Sequence, residues 1–225
     1  MIFRGFLLLA ALAGCAPAPT DPIALGKAYF TGFDCIKCHR IGETGGTRGP
    51  DLTLIGFRKS RAWLDVWLKS PTAWRHDTTM PSYYLKDDVR AAVLEYLIAQ
   101  KGQAFAGRPP WDAPELKTDP IARGRMIFEK AGCYACHGRD GQGGYPNNNV
   151  QGDRIPPVAK VGETYTKDEL RDKITLGVKP ERKDPKGPEP LIVMPPWGEL
   201  LGKREVDDLV EYLFSLAPKK KEDAW

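Results

Sequence analysis

The chain has 225 residues and a formal net charge of +4, a length that allows one or two domains. Its 33 basic side chains are nearly matched by 29 acidic ones, so no basic face argues for nucleic acid. Four of the five cysteines fall in two short clusters, and no disulfide framework is called for.

Met1–Gly14 reads as a targeting segment. Arg4 supplies its positive start, and Phe6–Ala13 is an apolar run too short to span a bilayer. Leu12-Ala13-Gly14-Cys15 resembles a bacterial lipobox. That resemblance implies cleavage before Cys15 and a lipid thioether on its sulfur; the other reading is an ordinary secretory signal with a stray cysteine. No later stretch is apolar enough to be a membrane span. Residues 15–21 then form a short Ala/Pro tether.

Asp21-Pro22 marks a helix start, Asp as cap and Pro at the first helical position. The helix runs from Ile23 to about Phe33 and delivers Cys35-Ile-Lys-Cys-His39. Gly42–Pro50 is a Gly-rich loop. Arg58, Lys59 and Arg61 make a local basic cluster, expected to be the solvated start of a helix rather than a partner site. Ser60 caps that helix, which carries Trp63, Leu64, Trp67 and Leu68 at helical spacing. Pro71 ends it, and the loop Thr72–Tyr84 follows with Met80. Asp87–Gln100 is an amphipathic helix with Val89, Val93, Leu94 and Leu97 on one side.

Residues 101–119, with Pro109, Pro110 and Pro114, read as a linker in which Trp111 packs on one domain or between two. Asp119-Pro120 then repeats the Asp-Pro start and leads to Cys133-Tyr-Ala-Cys-His137. A turn-rich loop follows, including Asn147–Asn149. Thr166-x-x-Glu169 is a capping box for a helix stopped near Gly177. Lys179–Pro190 is a charged, Pro-rich insertion before Met194-Pro195. A last helix spans about Lys203–Leu216, and residues 217–225 are a tail.

Both clusters read C-x-x-C-H, the attachment signal for c-type haem. Residues i and i+3 of a helix share a face, so two thiols can reach the two vinyl groups of one porphyrin, and the following His can sit under the iron. Taken singly, either cluster could be half a zinc site, a dithiol redox pair or chance. The repeat argues for haem: Gly26, Phe30, Cys35, Cys38 and His39 recur 98 residues on as Gly124, Phe128, Cys133, Cys136 and His137. Met80-Pro81 and Glu95-Tyr96-Leu97 recur as Met194-Pro195 and Glu211-Tyr212-Leu213.

This pattern resembles the class I cytochrome c fold present twice, over residues 22–100 and 120–216. The resemblance implies an all-α chain of two small helical domains, each around one covalent haem, with first and last helices crossing at the Gly and aromatic positions. It implies two haem c groups, attached through Cys35 and Cys38 and through Cys133 and Cys136. The iron ligands would be His39 with Met80 and His137 with Met194. His76, four residues before Met80, is the alternative sixth ligand on the first side; Met126 reads as core. In this family a Pro carbonyl accepts the ring N–H of the proximal His, a bond that raises the ligand's basicity. Pro50 fits that role or is a plain turn proline. Ile155-Pro156-Pro157 is its uncertain counterpart, because the spacing from His137 is longer.

The expectation is an electron-transfer protein similar to tandem di-haem cytochromes such as cytochrome c4. It would be exported to the periplasmic side and held on a membrane by the lipid. Its partners would be other redox proteins: cytochromes, a copper protein, or a membrane oxidoreductase complex of which it could be a subunit. The competing class is a di-haem oxidoreductase, of peroxidase or thiosulfate-oxidising type, with one labile axial ligand. The insertion ahead of Met194 is where such lability would be sought.

Overall fold

In the computed structural model, which describes residues 20–105 and 107–217, two units repeat one scheme: a first helix, the C-x-x-C-H turn, a long loop and a last helix laid across the first. The first unit contains α1 (Pro22–Gly32), α2 (Cys35–Cys38), α3 (Ile55–Arg58), α4 (Arg61–Lys69), α5 (Pro71–Trp74) and α6 (Asp87–Ile98). A two-stranded antiparallel hairpin, β1 (Arg40–Ile41) and β2 (Thr44–Gly45), sits inside the Gly-rich loop. The second contains α7 (Pro120–Ile127), α8 (Tyr134–His137), α9 (Lys167–Leu176) and α10 (Lys203–Ser215). The expected all-α fold in two cytochrome-like segments is the one observed.

The local signals act as read. Asp21 and Asp119 each accept the backbone N–H three residues on, with Pro at the first helical position in both cases. Ser60 caps α4 through the N–H of Trp63, and the Thr166–Glu169 capping box is complete. Pro71 does more than end α4: it opens the single turn α5.

Each crossing depends on a glycine. A β-carbon on Gly26 would fall inside the carbonyl oxygen of Ala92 on α6 and 2.8 Å from Tyr96 Cβ. On Gly124 it would meet the carbonyl of Asp208 and lie 2.8 Å from Tyr212 Cβ on α10. Beside each glycine an aromatic pair closes the contact, Phe30–Tyr96 at 5.4 Å and Phe128–Tyr212 at 5.5 Å between centroids. After Ile127 the backbone widens into a π-helical turn, Phe128–Gly132, where α1 stays regular.

The linker is folded. Three short 3₁₀ turns cross it, and Trp111 is buried in the second unit's core, edge-on to Phe105. Arg123 fastens it: the buried guanidinium donates to the Trp111 carbonyl, to Asp112 in the linker, and to Glu205 and Asp208 on α10. At its other end Gly102 N–H donates to the Thr53 carbonyl. Leu54 of the first unit is buried in the second unit's core cluster, and Phe57 packs edge-on against Trp197.

Candidate functional site

Two sites stand at equivalent places, each just after a first helix. In the first unit Asp34 adopts a left-handed backbone (φ 60°), turning the chain from α1 into the single helical turn that carries Cys35 and Cys38. His39 leaves that turn extended. Its Nδ1 is 2.8 Å from the Pro50 carbonyl, so this nitrogen is the N–H and Nε2 carries the free lone pair. In the second unit Gly132 (φ 85°) makes the equivalent turn. His137 Nδ1 is 3.3 Å from the Pro156 carbonyl. The longer loop thus supplies the same acceptor from Pro156, through a longer bond.

Burial pulls both imidazoles below the usual histidine range, and the proline carbonyls only partly offset it. Both rings are therefore neutral at pH 7, the state that can bind a metal. Burial also pushes the Cys35 thiol up to about 11 and the Cys133 thiol to about 12. A reactive dithiol pair needs the opposite shift, and these protonated, half-buried sulfurs speak against it.

The sixth-ligand candidates differ in their support. Met80 is half-buried against the first unit's core, and its Sδ accepts the Trp67 indole N–H at 3.0 Å. Trp67 in turn stacks on Trp63 at 5.2 Å. His76 is exposed in the same loop. Met194 is fixed by its backbone, in a two-bond antiparallel bridge with Val178 (2.9 and 3.0 Å). Met126 packs against the second unit's core.

The charged insertion before Met194 is pinned by three consecutive asparagines. The Asn147 amide pairs with both backbone groups of Ile192, at 2.9 and 3.2 Å. Asn148 accepts from Leu191 N–H and donates to the Glu189 carbonyl. Asn149 reaches Asp184 and Pro188. Side-chain amides here copy the pairing of a β-ladder, and they tie down the insertion ahead of Met194, where lability would be sought. In the sequence alone this asparagine run reads only as part of a turn-rich loop. Its signal was the amide repeat facing an insertion with no strand partner of its own.

The basic cluster is a correction. Arg61 is exposed, but Arg58 and Lys59 are each only 7% exposed. They are not a solvated helix start, because the second unit covers them. Lys59 Nζ lies 3.3 Å from Cys136 Sγ and sits over the rings of Trp63 and Tyr145. Burial pulls its ammonium below the usual lysine range, and its closeness to Cys136 partly offsets this.

These residues fit a haem. Cys133, Cys136, His137 and Met194 line one mainly apolar cavity of about 840 Å³ in the second unit, walled by Phe128 and Trp197. Among the described residues, four buried donors have no partner: Arg40 Nε, Arg58 Nε, Trp63 Nε1 and Trp74 Nε1. Unpaired buried N–H groups are costly, and a haem's carboxylates are acceptors of the kind they lack. In the first unit Cys35, Met80 and the tryptophans pack into one cluster. Cys15 lies outside the described residues. No helix among the described residues is long and apolar enough to cross a membrane.

Comparison with known proteins agrees with this geometry. The family model described as Cytochrome c matches twice, over residues 23–101 and 121–217. Cytochrome c-552 of Acidithiobacillus ferridurans is 28% identical over 163 residues, covering 68% of both chains. Subunit CcoP of the cbb3-type cytochrome c oxidase of Helicobacter pylori is 25% identical over 159 residues, 70% of this chain and 48% of its own. Cytochrome c oxidase subunit 2 of Alkalihalophilus pseudofirmus is 30% identical over 93 residues, 37% of this chain. The chain spans 27% of that subunit's length.

Proposed function

Because the chain belongs to the cytochrome c family, we propose that it is a di-haem electron carrier, exported and held on a membrane by a lipid on Cys15. The observation that carries the reading is the duplicated neutral, carbonyl-oriented histidine of a C-x-x-C-H turn, with a Met-Pro pair later in each unit and Met194 lining the same cavity as His137. Family membership implies haem c, attached through the C-x-x-C-H cysteines. When bound, the haem iron supplies a one-electron couple, and methionine ligation sets it at a comparatively high potential.

The protein's own groups then have distinct tasks. Pro50 and Pro156 orient His39 and His137 and raise their basicity. The Trp67 N–H on Met80 Sδ and the Val178 bridge at Met194 hold the two thioethers in place. The core aromatics exclude water. With both axial positions supplied by the chain, the reading leaves none for substrate. Two of the relatives are named as oxidase subunits, which supports exchange with a membrane oxidoreductase as one partner, alongside free cytochromes or copper proteins.

The test begins with mass and spectra. The purified protein is expected to carry two covalent haems, to be fully low-spin when ferric, and to bind carbon monoxide slowly when ferrous. Met80→Ala and Met194→Ala should each lower the potential of one haem only, since the thioether favours ferrous iron over the water or hydroxide that replaces it. Rapid carbon monoxide binding by half of the haem would defeat the carrier reading and move the protein to the di-haem oxidoreductases. An unchanged spectrum in Met80→Ala would transfer ligation to His76 or another group.

Lipidation has its own check. Cys15→Ser should release the protein from membranes with both haems intact. A variant that still needs detergent, in cells lacking any partner complex, would exclude the lipid anchor.

A further inference from the structure

Met194 follows His137 by 57 positions, where Met80 follows His39 by 41. The extra chain includes the charged insertion, and it closes at Met194 on a bridge of two backbone bonds to Val178. A longer loop costs more entropy to close, and a lone pair of ladder bonds is a marginal neck for it. Something else has to fix the strand that brings Met194 to the second site. Two positions earlier stands Ile192. Its N–H and its carbonyl are both taken by the buried amide of Asn147, at 3.2 and 2.9 Å.

The side chain of Ile192 goes to the other unit. It is 5% exposed and buried in a cluster whose other buried members among the described residues, Phe30, Trp63 and Leu64 among them, all belong to the first unit. Leu191, the residue before, packs against the same cluster. Its carbonyl accepts the hydroxyl of Ser60, the cap of α4, at 3.3 Å, and its N–H donates to Asn148. Burial alternates along the strand: Ile192 is covered, Val193 is turned out and 43% exposed, and Met194 is half-buried again. Residues two apart in an extended chain share a face, so the seat of Ile192 sets the direction in which Met194 leaves the strand. Ile192 and Met194 both line the second unit's cavity.

We propose that the first unit holds the second unit's methionine in place: Ile192, gripped by Asn147 on its backbone and seated by its side chain in the first unit's core, positions Met194 as the sixth ligand of the second iron. The inference rests on the di-haem reading and its assignment of Met194. Asn147 and Ile192 are positioning residues that act through Met194. For its sulfur to let go, the strand must leave an apolar seat and a buried amide together. The first unit is then a working part of the second unit's ligation.

The experiment follows carbon monoxide binding to the ferrous intact protein by rapid mixing, with the second haem identified as the half made fast by Met194→Ala. Asn147→Ala and Ile192→Ala should each speed binding to that half at least about tenfold, the factor that one net hydrogen bond is worth. The other half should stay within about twofold of the parent, as for a remote surface change. Ile192→Val, a milder change should the alanine variants fail to fold, should still give about threefold. Asn149→Gly removes the amide that pins the insertion at Asp184 and Pro188, and the left-handed backbone there accepts glycine. It leaves Ile192 alone and should move neither half by more than about twofold. Hydrogen exchange gives a readout that does not involve the iron. In Ile192→Val the amides of Val178 and Met194, and those of α4 in the other unit, should all exchange faster. Parent-like rates in Asn147→Ala and Ile192→Val overturn the proposal. So does equal acceleration of both halves, an Asn149→Gly effect as large as that of Asn147→Ala, or unmoved α4 amides. A parent protein whose second haem already binds carbon monoxide rapidly, or one carrying a single haem by mass, fails the carrier reading and this inference with it. A slow parent with equally slow variants fails this inference alone.

Discussion

Gly124→Ala should destabilise the second unit by about 3 kcal/mol or more, the upper end of what overpacking usually costs. A flexible side chain in the way would give at little cost. Here the obstacle is the Asp208 carbonyl, which belongs to the backbone of α10. Relief requires α7 and α10 to separate, which loosens the Phe128–Tyr212 contact and the Arg123 links to Glu205 and Asp208. A domain's whole stability is about 5–15 kcal/mol, so the loss is a large fraction. Gly26→Ala should do the same to the first unit through Ala92. Denaturant unfolding followed by circular dichroism measures both. A change within about 0.5 kcal/mol, the size expected of a surface substitution, would show that the helices do not cross this closely.

His137→Ala should be the most damaging single change at a proposed ligand. It removes the group that Pro156 orients and leaves Cys133, Cys136 and Met194 to hold a haem with no proximal base. Loss of a metal ligand belongs to the mutations that cost about 4–5 kcal/mol or more. The variant should show one normally ligated haem, and residues 120–216 should become protease-sensitive before residues 22–100. Equal collapse of both halves would mean that the units do not fold separately.

How far the sequence could be read follows from the range of each interaction. Helix starts at Asp21, Ser60, Asp119 and Thr166 were legible because a cap and the N–H that donates to it lie three residues apart. The C-x-x-C-H turns were legible for the same reason, and the Gly–aromatic crossings because the repeat gives each one twice. The Pro156 carbonyl was uncertain from spacing alone, and the structure puts it 19 positions beyond His137, in reach of the ring. Arg58 and Lys59 were misread. Beside a helix cap, a basic run has the pattern of a solvated face, and only the packing of one unit on the other reveals that both are covered. The asparagine clamp was missed because its partners lie more than 30 positions away in a segment with no periodicity.

The linker has a consequence for speed. Had residues 101–119 been a slack tether, exchange between the two sites would have been an encounter problem. Its rate would then follow the effective concentration set by tether length, and solvent viscosity would slow it. Trp111 sunk in the second core, Asp112 on Arg123 and Gly102 on Thr53 remove that slack. On the di-haem reading, a transfer between the two sites then waits for no diffusional search. Internal exchange should therefore keep its pace in glycerol, where delivery by a separate partner slows.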